Sequence, residues 1–283
     1  MTREFSQVDV FGSEPHGLSG NPVAVVHAAE GVDDAAMAAF ARWTNLSETT
    51  FLLPPTTPEA DYRLRIWTPG GELPFAGHPT LGSAHAWVEA GGVPRTPGRL
   101  VQECGVGLVE LRQDAAGWAF AAPPLRRSGP VDDALRARIA DVLGLEPAQI
   151  LDAVWVDNGP GWIGVRLPDA RTVLGLTPDF ARFADLRLGV VGPHPAGAPA
   201  AVEVRAFVPG IGVPEDPVTG SLNAGLAQWL AGDVLPADYV AAQGTALGRA
   251  GRVRVRSEGE ARWIGGDTVT TVRGSVHLPA ARD

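Results

Sequence analysis

Short apolar runs alternate along this chain with glycine- and proline-rich breaks, and the same order of elements is written twice. Asn21-Pro22-Val23-Ala24-Val25-Val26 and residues 161–167 are apolar stretches bounded by Gly or Pro, and both predict strands. Residues 33–43 and 178–185 predict a first helix in each half. Residues 80–89 and 219–231 predict a second one. In the last of these, Leu222, Leu226, Trp229 and Leu230 fall at helical spacing and small residues fill much of the remaining surface, the pattern of a buried helix. Residues 121–130 read as a linker and 132–143 as a connecting helix. Residues 252–256 and 268–276 alternate as strands, the last expected to return to the first half.

The duplication extends to residue level. Leu64-Arg65-Ile66-Trp67-Thr68-Pro69-Gly70 is echoed by Val204-Arg205-Ala206-Phe207-Val208-Pro209-Gly210. Pro74 and Pro214 follow, then the turns Gly77-His78-Pro79-Thr80-Leu81-Gly82-Ser83 and Asp216-Pro217-Val218-Thr219-Gly220-Ser221. The offset is 140 at Arg65/Arg205 and Pro74/Pro214 and 138 at Pro79/Pro217 and Ser83/Ser221, which predicts a two-residue deletion in the second copy. Phe40 to Leu46 matches Phe180 to Leu186 at the same offset of 140. The expected domains are residues 1–120, with a strand at about 266–283 returning to them, and 121–265.

Each duplicated turn places a polar residue before proline at a helix start, His78-Pro79 and Asp216-Pro217. Asp is a good N-cap and proline tolerates the first helical position. Backbone N–H groups at residues 80–83 and 219–221 would then point beyond the helix ends, where the partial positive charge of a helix N-terminus binds carboxylate or phosphate. Two such ends facing across a cleft would hold a polar substrate from both sides.

Composition removes several alternatives. With 283 residues and 45% hydrophobic content the chain can form one large domain or two ordinary ones. It has no apolar run long enough to span a membrane, and its charged start does not read as a signal peptide, so the expected location is the cytoplasm. Cys104 is the only cysteine, which excludes an internal disulfide, dithiol redox chemistry and a cysteine-based metal cluster. The net charge of −9 argues against nucleic acid. All 23 basic residues are arginine, so Schiff-base chemistry on a lysine is impossible. His16, His27, His85, His194 and His277 are scattered without metal-ligand spacing, and Gly105-Val106-Gly107 lacks the third glycine of a dinucleotide loop. Neither a metal nor an organic cofactor is expected.

Four segments resemble the PhzF-like family, the phenazine-biosynthesis-type isomerases with a diaminopimelate epimerase-like fold. They are Gly20 to Val26, Asn45-Leu46-Ser47-Glu48-Thr49-Thr50-Phe51, Glu72-Leu73-Pro74-Phe75-Ala76-Gly77-His78-Pro79-Thr80-Leu81-Gly82, and Glu215-Asp216-Pro217-Val218-Thr219-Gly220-Ser221. Weaker matches at Gln243-Gly244 and Leu247-Gly248-Arg249 carry the likeness nearly to the C-terminus. The resemblance implies an α+β fold of two pseudo-symmetric domains, each a β-barrel-like sheet wrapped around a central helix, with the active site in the cleft. It also implies a homodimer acting on a small carboxylate-bearing molecule. By resemblance Glu48 is the catalytic acid and base, and Gly77, His78, Asp216 and Ser221 line the site. The full candidate set is Glu48, His78 and Asp216 as catalytic residues, with Asn21, Ser47, Gly77, Pro79, Thr80, Thr219, Gly220 and Ser221 binding substrate. Phe75, Trp67 and Trp162 are candidate pocket walls.

At the 140-residue offset Glu48 corresponds to Leu188, so only one copy of the scaffold carries the carboxylate. That asymmetry favours one group removing and returning a proton on one face, as in a double-bond shift in a conjugated biosynthetic intermediate. The related epimerases use two cysteines at the duplicated turns, where the resemblance aligns Gly77 and Asp216, and a single Cys104 cannot act from two faces. The alternatives are an epimerase or racemase of a small amino or imino acid, pairing Glu48 with another residue, and an idle member that binds a small acid or a protein.

Overall fold

A computed structural model describes residues 1–13, 18–114, 117–211 and 213–279, so that His16 lies outside the described residues. The chain is mixed α+β and divides into two compact units, Met1–Ala121 with Gly265–Asp283, and Ala122–Ile264.

The first unit contains β1 (Thr2–Val10), β2 (Asn21–Val26), α1 (Asp34–Thr44), β3 (Glu48–Leu53), β4 (Tyr62–Thr68), β5 (Gly71–Leu73), α2 (Gly77–Glu89), β6 (Arg99–Cys104), β7 (Gly107–Asp114) and β8 (Gly117–Ala121). The second contains β9 (Arg127–Pro130), α3 (Asp133–Leu143), β10 (Asp152–Asp157), β11 (Ile163–Arg166), α4 (Ala170–Leu174), β12 (Leu188–Pro193), β13 (Val202–Val208), β14 (Val213–Asp216), α5 (Gly220–Leu230), β15 (Tyr239–Gln243), β16 (Gly251–Glu258) and β17 (Ala261–Gly265). The last strand, β18 (Thr268–His277), pairs antiparallel with β1 along its length.

Each unit contains the same motif, two parallel strands joined by a crossover. β2 and β3 run parallel with Val23 opposite Glu48, and β11 and β12 run parallel with Ile163 opposite Leu188. The crossovers differ. In the first unit Asp33 caps α1 by accepting the Ala36 N–H at 2.7 Å, and Asn45, at φ 55°, ends it in the left-handed conformation that asparagine tolerates. In the second unit residues 178–185 hold only the 3₁₀ turn Phe180–Arg182, and the helical segment is the short α4 upstream. Pro178 biases Thr177 away from helix, and Ala184 at φ 51° leaves the helical region, so the helix expected over residues 178–185 does not form. The expected linker also carries structure, because β9 pairs antiparallel with β10.

One buried helix runs through each unit. Gly77 to Ala84 and Ala86 of α2 are buried, and α2 packs on β1, β2, β3, β4, β8 and β18. In α5, Leu222, Asn223, Ala224, Gly225, Leu226, Ala227 and Leu230 are buried. Strand and helix approach closely through glycine. A Cβ on Gly82 would lie 2.4 Å from Val23 Cγ1, and one on Gly225 would lie 2.4 Å from the Val156 carbonyl oxygen.

The hairpin before each helix revises the repeat. Ile66 pairs with Leu73 and Trp67 with Glu72, while Ala206 pairs with Asp216 and Phe207 with Glu215. The incoming strands keep the offset of 140, but the 3₁₀ turn Pro209–Ile211 lengthens the second hairpin, so the returning strands are offset by 143. The second copy therefore has three extra residues rather than two fewer. Glu72 corresponds to Glu215, Pro74 to Pro217, Gly77 to Gly220 and His78 to Ser221. A bidentate ion pair fixes each hairpin. Arg65 meets Glu72 at 2.7 Å and Arg205 meets Glu215 at 2.7 and 2.9 Å.

Candidate active site

The helix starts differ from the sequence expectation, and this decides which amides are available. α2 begins at Gly77 behind the N-cap Ala76, and the Thr80 N–H already donates to the Ala76 carbonyl at 3.2 Å. Its first-turn amides are thus Gly77 and His78, Pro79 having none, rather than those of residues 80–83. α5 begins at Gly220 behind the N-cap Thr219, so Asp216 ends a strand and is no N-cap. Gly220, Ser221 and Leu222 supply its first-turn amides. Thr219 N–H is committed to Gln243 Oε1 at 3.0 Å.

In the first unit the turn after α1 delivers Glu48 to the head of β3, where it faces the helix start. Glu48 Oε2 lies 3.4 Å from His78 Nε2, both groups being largely buried. Burial drives the imidazole down to a pKa of about 3, against a raising hydrogen bond to the Pro22 carbonyl. His78 is therefore neutral near pH 7, and its contact with Glu48 is not an ion pair. Nε2 makes no hydrogen bond among the described residues and is the ring nitrogen that lies toward Glu48. A neutral ring has one N–H and one bare nitrogen, so at this distance it accepts a hydrogen bond from a carboxylic acid in one tautomer and donates one to a carboxylate in the other.

Asn21 connects this pair to the loop before it. Its amide nitrogen lies 3.4 Å from His78 Nδ1, and its Oδ1 accepts from Ser47 Oγ at 3.4 Å. The backbone entering Asn21 is gripped by a residue that sequence reasoning passed over. The buried Asp9 carboxylate accepts the N–H groups of Ser19 at 3.1 Å and of Gly20 at 3.0 and 3.1 Å. Its signal was an acid inside the apolar run Val8-Asp9-Val10-Phe11. Thr80 belongs to the scaffold: it is fully buried and its hydroxyl accepts from Gln102 Nε2 at 3.0 Å. Trp67 likewise packs in the core with Val26, Phe40 and Phe51, and Phe75 meets Phe120 edge-on at 5.5 Å. The Cys104 thiol is pushed up by burial, away from thiolate reactivity.

In the second unit the polar set is organised by Gln243, at the end of β15. Its Oε1 accepts from Thr219 N–H and from Asn223 Nδ2 at 2.8 Å, and its Nε2 donates to Thr219 Oγ1 at 2.9 Å and the Asp216 carbonyl at 3.2 Å. Thr219 Oγ1 then donates to Asp216 Oδ2 at 2.5 Å. Ser221 is held separately. Trp162 Nε1 donates to its hydroxyl at 3.0 Å and Asn158 Nδ2 to its carbonyl at 2.8 Å, which leaves the Ser221 O–H proton available to a ligand. Gln243 and Asn223 were not among the expected site residues, although the Gln243-Gly244 match pointed at the first.

A model of the family described as "Phenazine biosynthesis-like protein" matches residues 8–275. The chain belongs to that family. Trans-2,3-dihydro-3-hydroxyanthranilate isomerase of Pseudomonas fluorescens is 34% identical, over 96% of this chain and 98% of that protein. Antisense-enhancing sequence 1 of Schizosaccharomyces pombe is 35% identical, over 95% and 97%. The crystal structure of a phenazine biosynthesis PhzF-family protein from Enterococcus faecalis superposes with a TM-score of 0.81 at 25% identity, covering 98% of this chain and all of that one. Isomerases recur among the curated relatives, and this member of the phenazine biosynthesis-like family is an isomerase. No helix among its described residues is long and apolar enough to cross a membrane.

Proposed function

We propose that this isomerase moves a proton and a double bond within a small, conjugated, carboxylate-bearing intermediate, with Glu48 as both base and acid. The observation that carries this reading is the single carboxylate at the head of β3 beside a neutral imidazole, with Leu188 in the matching position of the second unit. Glu48 removes a proton from one carbon and returns it to another on the same face. His78 Nε2 accepts the hydrogen bond of the protonated acid and so steadies it between the two transfers. Asn21 and Ser47 orient that pair, while Gly77 and Pro79 shape the backbone around His78. The substrate carboxylate is gripped by the Gly220 and Ser221 amides and the Ser221 hydroxyl, with Asp216 and Thr219 setting the turn. The substrate named for the Pseudomonas relatives, trans-2,3-dihydro-3-hydroxyanthranilate, has this chemistry, so the reading extends to that compound or a close analogue in secondary metabolism. We further assign the active form as a cytoplasmic homodimer needing no cofactor.

Replacing Glu48 with Gln keeps the shape and removes the exchangeable acid. Turnover should fall by about 10²–10⁴-fold, with substrate affinity changed little in a direct binding titration. A Gln variant with full activity overturns the assignment. In deuterated water a double-bond shift with partial internal proton return supports the one-sided shuttle, whereas solvent label at an inverted stereocentre supports the epimerase.

A further inference from the structure

A cavity lies within the second unit, lined by residues of α4, β13, β15 and β16. It is about 160 Å³ and is lined by Glu203, His194, Thr245 and Arg252, with Leu174 and Pro199 among its apolar walls. Glu203 comes from the buried strand β13 and its side chain is 1% exposed. One carboxylate oxygen, Oε2, meets His194 Nε2 at 3.1 Å. The other, Oε1, is buried and has no hydrogen-bond donor among the described residues. Across the lining set, Arg252 donates to its neighbour's carbonyl, Gly251 O, at 2.8 Å and pairs with no carboxylate among the described residues.

A buried carboxylate oxygen without a donor costs free energy, and an arginine left unpaired beside it offers the opposite charge without neutralising it. The same cavity thus holds an unused acceptor and an unused cation. A ligand that answers both carries an ammonium and a carboxylate on one small frame. Size narrows the class further. Drug-sized ligands occupy roughly 300–1,000 Å³, whereas about 160 Å³ admits a molecule of a few heavy atoms. Apolar walls at Leu174 and Pro199 suit a short aliphatic side chain.

We infer that this cavity binds a small zwitterion, an α-amino acid, with its ammonium on Glu203 and its carboxylate on Arg252. None of the residues that line it belongs to the proposed catalytic or substrate-binding set.

Isothermal titration of the full chain with glycine, L-alanine and L-proline tests this, with acetate and ethylammonium as single-ended probes. At least one amino acid should bind saturably with 1:1 stoichiometry, and acetate and ethylammonium should each bind about tenfold or more weaker, since each forfeits one charge-assisted bond. Glu203→Gln and Arg252→Ala should each weaken amino-acid binding by about tenfold or more. Ala198→Leu, which plugs the cavity from its rim and leaves the buried strand intact, should do the same if Glu203→Gln fails to fold. Binding should survive in Glu48→Gln and Ser221→Ala. No saturable binding by any of the three amino acids overturns the inference, as does binding that persists in Arg252→Ala and Ala198→Leu or disappears in Ser221→Ala.

Discussion

The two units share a crossover, a hairpin fixed by an Arg–Glu pair and a buried helix, yet they carry different chemistry at equivalent places. The head of β3 holds Glu48 and the head of β12 holds Leu188. The second helical residue is His78 in one unit and Ser221 in the other. The first unit therefore places a carboxylate beside a neutral imidazole, and the second a set of neutral polar groups braced by Gln243 and Trp162. The division of the duplicated scaffold falls on two positions, Glu48 against Leu188 and His78 against Ser221.

The strongest way to probe that division is acidification. His78 is held near pKa 3 in the folded chain against an ordinary value near 6.5, so between these limits the unfolded chain binds a proton that the folded chain does not. Stability is complete above about pH 6.5 and is lost as pH falls toward 3, by up to about 5 kcal/mol. His78→Asn, which makes the position as non-ionising as Ser221, should flatten that part of a urea-midpoint-versus-pH curve. An unchanged slope would place the acid sensitivity elsewhere.

The two ion pairs give the next contrast. Arg205 and Glu215 are each 7% exposed, and Arg205 also donates to the Leu176 carbonyl at 2.8 Å, whereas Glu72 is 37% exposed. Arg205→Met should cost about 3–5 kcal/mol because it strands a buried carboxylate. Arg65→Met should cost about 1 kcal/mol or less, as a partly solvated pair does. Equal costs in denaturant titration would mean that burial does not distinguish the copies. Smaller still is the glycine pair. Gly225→Ala meets a carbonyl oxygen that cannot yield, and Gly82→Ala meets a valine methyl that partly can. Both should fall within about 1–3 kcal/mol, with Gly225→Ala the larger.

Much of this was legible in the sequence because it was local. The strand at Asn21–Val26 and the helix α3 behind Asp132 lie where apolar runs and capping residues put them. The register of the repeat was misread because Pro74/Pro214 and Pro79/Pro217 align by eye. Glu72-Leu73-Pro74-Phe75-Ala76-Gly77 and Glu215-Asp216-Pro217-Val218-Thr219-Gly220 share Glu, Pro and Gly at fixed spacing, and that pattern carries the true offset. The helix expected at residues 178–185 followed homology of sequence between copies that differ in backbone conformation at Ala184. Asp9 and Gln243 escaped because their roles lie in bonds to main-chain groups 10 or more residues away, which no local pattern encodes.

The pairing of β18 with β1 has a bearing on how the protein is made. Residues 268–277 supply the strand beside residues 2–10, and the Leu278 N–H donates to the Met1 carbonyl at 2.8 Å. A ribosome emits the whole of the second unit before it emits that strand. The first unit, which begins first, is consequently completed last, and until then the outer edge of β1 stands open as a template for foreign strands. Truncation within residues 268–277 should accordingly show itself as aggregation of newly made chains more than as a loss in the intrinsic rate of the enzyme that does fold.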